Sequence, residues 1–293
     1  MEIIQNICLA NVLSNTILGS YYSKPYEFDW SVIGKHDSLF GPDYNYEDAR
    51  ILLQLSLMVT NANFRKVPLI SPDWLLNIPL IYPECPIELI SKGLSNSPLN
   101  KPSILGHVLY SERTNILFIV FTGTSNACMV GIDIQYVQVE LTNILNYTKG
   151  LKGHRGIYTG YMNIRSQLTD IIKRYLPKNP KIVITGHSLG GALSGLCALD
   201  LAYYNPIHYS FATPMIFNQV GCEVFNRLVN NSYRISNMSD LVTIMPLPIM
   251  PNGNCFCHVG KSFSFQTNMG NYPNNHALAY VLQYNIPFVE LDK

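Results

Sequence analysis

KIVITGHSLGGALSGLCALDLAYY, residues 181–204, reads in one pass as strand, sharp turn and helix. Lys181 to Thr185 is a short run rich in β-branched apolar residues, the pattern of a strand buried on both faces. Residues 190–204 are mostly small or apolar, as suits a helix lying close against a sheet. Between them Gly186-His187-Ser188-Leu189-Gly190 spells G-x-S-x-G. The string alone is common. Flanked by this strand and this helix, it predicts a nucleophile elbow, in which the serine occupies a strained turn and projects Oγ above the sheet. Bulk two residues before or after the serine would strike the neighbouring strand and helix, so the reading requires glycine at Gly186 and Gly190. The helix N-terminus beneath Ser188 favours developing negative charge.

Outward from this stretch the chain alternates strands and helices. Residues 44–62 space apolar positions as a helix does, behind Glu47 and Asp48. Residues 66–104 carry seven prolines from Pro68 to Pro102, which forbid a long helix and suggest an irregular covering segment. From Ile104 follow a strand, a polar turn at Ser111 to Asn115 and a buried strand at Ile116 to Phe121. Residues 132–141 alternate like a half-solvated strand, and 161–176 have helical periodicity. Further strands are expected at 208–213 and 233–237, and a closing helix at 276–284. The order predicts one α/β domain over 1–293, a mostly parallel sheet with helices on both faces, with 1–43 and 66–103 as less regular segments packed on it.

A serine hydroxyl needs a histidine to take its proton and an acid to orient that histidine. On this strand–turn–helix architecture the chain order is serine, acid, histidine. Asp240 stands three residues beyond the strand 233–237, at the exit of the sheet. Asp200 lies inside the elbow's helix and Glu223 precedes the last strand, so both fit less well. His276 sits in a polar loop before an apolar helix, free to reach back over the sheet. His258 lies in CFCHVGKSFSF, whose alternation suggests a strand and a structural role. His187 is expected to point away from Ser188 as a bystander. The oxyanion hole calls for backbone N–H groups from Leu189 and from Thr124, in the loop after the strand 116–121. The Thr124 hydroxyl offers a further donor there.

Composition bounds the partners. Among 293 residues, 20 Lys and Arg against 19 Asp and Glu give a net charge of +1, with no basic run to hold nucleic acid. No apolar run approaches a membrane span. Only 13% of residues are charged, about half the ~25% usual for soluble domains, so the surface is unusually uncharged. The N-terminus lacks the basic region of a secretory signal. Seven cysteines, with only the C-x-C of Cys255 and Cys257 close together, complete neither a redox motif nor a zinc site. Free, mostly buried thiols in a reducing compartment are the expectation, and an intracellular location is favoured over secretion.

With these pieces in order the sequence resembles the fungal-type (class 3) lipases. The matching segments are FTGTSNACMVGIDIQY, GHRGIYTGY, VITGHSLGGALSGLCALDL, FATPMIFN, YRISNMSDLVTIMP and HALAY, in family order over roughly residues 104–284. The resemblance implies an α/β-hydrolase fold and a Ser188–Asp240–His276 triad, with Thr124 and Leu189 at the oxyanion hole. It implies no metal or cofactor, and esters of lipids as substrates, met by transient contact with lipid surfaces. In the family the segment after Thr124 forms a lid, which places Ala127, Cys128, Met129 and Val130 over an acyl groove, with an uncharged face around Met129 and Val130. Two positions depart from the family: Thr122 stands where a basic residue is usual, and Val130 where the lid commonly carries tryptophan. Acyl transfer by the same serine and a non-catalytic lipid-binding or scaffold module are the alternative readings.

Overall fold

The computed structural model describes residues 28–34, 40–69, 71–82, 103–125, 129, 133, 135–145, 149–246, 253 and 255–286. Its centre is a seven-stranded sheet in the order β1-β2-β3-β6-β7-β8-β9. These strands are β1 (Leu75–Tyr82), β2 (Ser103–Ser111), β3 (Ile116–Phe121), β6 (Lys181–His187), β7 (Ile207–Phe211), β8 (Ser232–Asn237) and β9 (Lys261–Phe265). The pairs β1/β2 and β2/β3 are antiparallel, and every pair from β3 to β9 is parallel. A short antiparallel pair, β4 (Gln138–Glu140) with β5 (Lys152–His154), stands apart.

Both faces are covered, as a continuously apolar central strand demands. Phe118 and Val120 of β3 pack with Val183, Phe211 and the buried stripe of α1 (Tyr46–Arg65). Leu117, Ile119 and Phe121 face the other way, toward α2 (Arg155–Tyr175) and α3 (Leu189–Asp200). Helix α1 starts where the Asn45 side chain accepts from the N–H groups of Glu47 and Asp48, and stops at Lys66, whose φ is 55°. A fourth helix, α4 (Gln219–Leu228), flanks β5, and α5 (Ala279–Gln283) closes the described chain.

Three sequence expectations change. The proline-rich segment contains a regular strand: β1 pairs only with β2, so Pro79 lies on a sheet edge, where a missing donor is tolerated. The strand expected over 132–141 shrinks to Gln138–Glu140, with Asp133 turned inward instead of alternating. The thiol expectation fails for one pair: Cys222 of α4 is disulfide-bonded to Cys257, while Cys197 is free and buried and Cys255 free and exposed. Cys8, Cys85 and Cys128 lie outside the described residues.

Candidate active site

Ser188 closes β6 and opens α3 with φ 60° and ψ −123°, a backbone that L-residues rarely adopt. The glycine requirement is met in space. A Cβ on Gly186 would lie 2.2 Å from the Gly190 carbonyl, and one on Gly190 would lie 2.5 Å from the Phe121 oxygen. The Ser188 N–H is tied to Phe211 O of the next strand at 2.9 Å, so the strained turn is held by the sheet.

Asp240 leaves the end of β8 and caps the short turn Leu241–Ile244, its Oδ1 accepting from Val242 N at 3.0 Å. Its Oδ2 accepts from His276 Nδ1 at 2.9 Å and from the Tyr280 hydroxyl at 3.0 Å. Asp240 and His276 are each 1% exposed. Because Nδ1 donates to the carboxylate, the neutral ring keeps its lone pair on Nε2. That Nε2 is buried and has no hydrogen-bond partner among the described residues. It is the atom a base needs.

His276 is not in an open loop as expected. It sits in a π-helical turn, Asn274–Leu278, that runs directly into α5 and holds the ring in place. Several residues to which the sequence assigned no role fix it there. His187 Nε2 donates to the His276 carbonyl at 2.9 Å, and the two rings lie 4.8 Å apart, which puts His276 beside the elbow. His187 therefore braces the turn that carries His276. Burial and the neighbouring His276 push its pKa down to about 3, so it stays neutral. Tyr272 stacks on the His276 ring with an interplanar angle of 5°. Fully buried Asn237 donates to Asn275 O and Thr267 O, stitching the end of β8 to the base's turn.

The loop after β3 is pinned from below. Gly123 N–H donates to Thr60 Oγ1 of α1 at 2.9 Å. Thr124 is buried, and its hydroxyl donates to Asp133 Oδ2 at 2.6 Å, so that hydrogen is already committed and only the Thr124 N–H is left for an oxyanion. Burial raises the Asp133 pKa to about 7, against the lowering by the Thr124 hydrogen bond and His276. Leu189, first residue of α3, has an N–H with no acceptor within its own helix. Met129 is corrected: it is fully buried in the core, and its Sδ lies 3.3 Å from both Ser125 N and Ser125 Oγ. It anchors the loop from inside and does not form an exposed rim. The other lid candidates, Ala127, Cys128 and Val130, lie outside the described residues.

The rejected alternatives are engaged elsewhere. Asp200 accepts from Arg165 and Tyr161 of α2. Glu223 pairs with Gln219 on α4. His258 lies outside any strand and bonds Thr243 O at 2.6 Å, and burial together with Arg234 lowers its pKa to about 4.

Residues 118–250 match the family described as Lipase (class 3). A lipase of Rhizomucor miehei is 30% identical over 168 residues, 54% of this chain and 43% of that protein. The secreted mono- and diacylglycerol lipase A of Penicillium cyclopium is 28% identical over 163 residues, 54% of this chain and 51% of that protein. The chain thus spans about half or less of the length of these relatives. A crystal structure of the mono- and diacylglycerol lipase from Aspergillus oryzae aligns with a TM-score of 0.56, at 19% identity, over 78% of this chain and 83% of that one, and shares the fold. Over residues 118–250, from β3 past the loop that carries Asp240, the chain is similar to the class 3 lipases, and it shares the fold of the Aspergillus oryzae enzyme.

Proposed function

We propose that this protein hydrolyses carboxylic esters of lipids through an acyl-enzyme on Ser188. The observation that carries the reading is the buried pair His276–Asp240, with Nδ1 bound, Nε2 free and the ring standing beside a strained serine elbow. Ser188 Oγ attacks the ester carbonyl while His276 Nε2 takes its proton. The tetrahedral oxyanion is met by the N–H groups of Leu189 and Thr124, strengthened by the dipole of α3. His276 then protonates the departing alcohol, and water activated on the same nitrogen releases the acid. Asp240 keeps the ring in the Nδ1–H tautomer and stabilises the imidazolium.

Lipid as the substrate class is supported by the surface that borders the acid. Met238, Leu241 and Ile244 are 71%, 56% and 51% exposed on the loop that carries Asp240. An apolar rim of this kind suits an acyl chain or a lipid surface. The mono- and diacylglycerol lipases among the relatives point to acylglycerols first.

The test compares wild type with Ser188→Ala on a soluble nitrophenyl ester, and on tri-, di- and monoacylglycerols and phospholipid below and above the solubility limit. The variant is expected to lose at least about 10⁴-fold in kcat on all of them. Retained hydrolysis refutes the mechanism. Hydrolysis of the soluble ester with no turnover of any lipid refutes the substrate class.

A further inference from the structure

On the α3 side of the sheet, beyond the elbow, lies a polar face the proposed reaction does not use. His208 and Ser210 of β7, Ser232, Arg234 and Ser236 of β8, and Ser262 and Ser264 of β9 alternate onto it, with Arg234 in register with Ser210 and Ser262. Its inner end is closed by His208, which bonds Ser194 of α3 and Ser232. Its outer end is open, since Ser262 and Ser264 are exposed.

Arg234 is mostly buried here and has no carboxylate partner among the described residues. Arg165 and Arg50, by contrast, each hold one. Burying a cation without a counter-ion is costly. The groups around it are hydroxyls. Nη1 donates to Ser236 Oγ at 3.0 Å and Nη2 to Ser262 Oγ at 2.8 Å, and both oxygens contact Ser264 Oγ at 2.9 and 3.1 Å. A guanidinium has five N–H hydrogens and three serines supply one each, yet these contacts use only four of them. Three N–H and one O–H are left over, and Nε is buried without a partner among the described residues. Arg234 also borders a small hollow shared with Ser210, Thr213, His258, Ile216 and Val259, which Ser262 and Ser264 do not line. His258 is no competitor for an anion: its Nε2–H already goes to Thr243 O.

We propose that this face binds a small soluble oxyanion of the phosphate or sulfate kind through Arg234, Ser262 and Ser264. A tetrahedral oxyanion matches the planar fork of a guanidinium and accepts from several donors at once. The serines around the guanidinium offer no apolar surface for an acyl chain, which favours a free anion over a lipid headgroup. His258, which borders the hollow beside Arg234, bonds Thr243 O, and Thr243 Oγ1 bonds Asp240 O of the acid loop.

The full chain is titrated with inorganic phosphate, and with sodium chloride at matched ionic strength, following melting temperature and binding heat. A separate arm uses vesicles containing phosphatidic acid. Phosphate is expected to bind one per chain and to raise the melting temperature by several degrees more than chloride. Arg234→Gln, which keeps the shape and removes the charge, abolishes the phosphate-specific part. Ser264→Ala, an exposed change that leaves the fold intact, weakens binding about tenfold, and it serves alone should Arg234→Gln fail to fold. Equal shifts with phosphate and chloride overturn the proposal, as does phosphate binding unchanged in Ser264→Ala. Binding to vesicles without any response to free phosphate overturns the soluble occupant.

Discussion

Lowering the pH from 7.5 to 5 at constant ionic strength should unfold this protein, and the cause is its buried histidines. His107 and His154 are buried with pKa values lowered to about 4, and His187 and His208 with values lowered to about 3. Desolvation is the main cause in each. The unfolded chain takes up these protons near pH 6.5, whereas the fold refuses them until far lower pH. Unfolding therefore binds protons in between. The stability these four side chains contribute is complete above about pH 6.5 and is lost as the pH falls toward 4 for His107 and His154 and toward 3 for His187 and His208.

Two buried carboxyls work the other way. Asp133, raised to about 7, and Asp48, raised by burial, favour the acid side, and their contribution is lost as the pH rises through their folded values. With His258, also lowered to about 4, counted in, the balance near pH 5 is an uptake of about three to four protons on unfolding. That corresponds to about 4–5 kcal/mol per pH unit, against a total stability of about 5–15 kcal/mol for a typical domain. The expected outcome is a urea midpoint that falls steeply below pH 6.5 and loss of the far-UV signal between about pH 5.5 and 4.5. A stability constant within about 1 kcal/mol from pH 7.5 to 5 would show that these histidines are not buried as described.

Three further outcomes follow from the site. Tyr280→Phe removes a donor to Asp240 Oδ2 and strands the Asn237 N–H, so kcat on a soluble ester should fall about tenfold and stability by about 1–3 kcal/mol. Met129→Leu keeps the volume but removes the sulfur that faces Ser125. Steady-state kinetics should show kcat reduced about five- to tenfold with KM little changed, the signature of a loosened oxyanion loop. Cys222→Ser opens the cross-link to Cys257, 35 residues away, and should cost about 4 kcal/mol in denaturant titrations under oxidising conditions, with no effect under reducing ones.

What the sequence disclosed was what short spacing encodes. The elbow was legible because the same few residues must be strand, turn and close-packed helix, and the distances at Gly186 and Gly190 bear out that need. Asp240 and His276 were legible because few acids and histidines follow the last central strands. The supports were not. His187 matters through the carbonyl of a residue 89 positions away, Tyr280 through Asp240, and Asn237 through Asn275, contacts that exist only once β8 and α5 have met. The family resemblance placed Met129 in a lid, yet its sulfur turns inward to Ser125. Pro79 argued against regular structure until the sheet order placed its strand on an edge. The Cys222–Cys257 link joins α4 to a segment near β9, and no local pattern announces such a pair.

The central claim, that Ser188 is an activated nucleophile, is tested most directly by a fluorophosphonate and a mass spectrometer. One adduct per chain is expected, mapped to the peptide containing Ser188, absent in Ser188→Ala and formed at least about 10³-fold more slowly in His276→Ala. An adduct on any other residue, or labelling of Ser188 at an unchanged rate without His276, would contradict it.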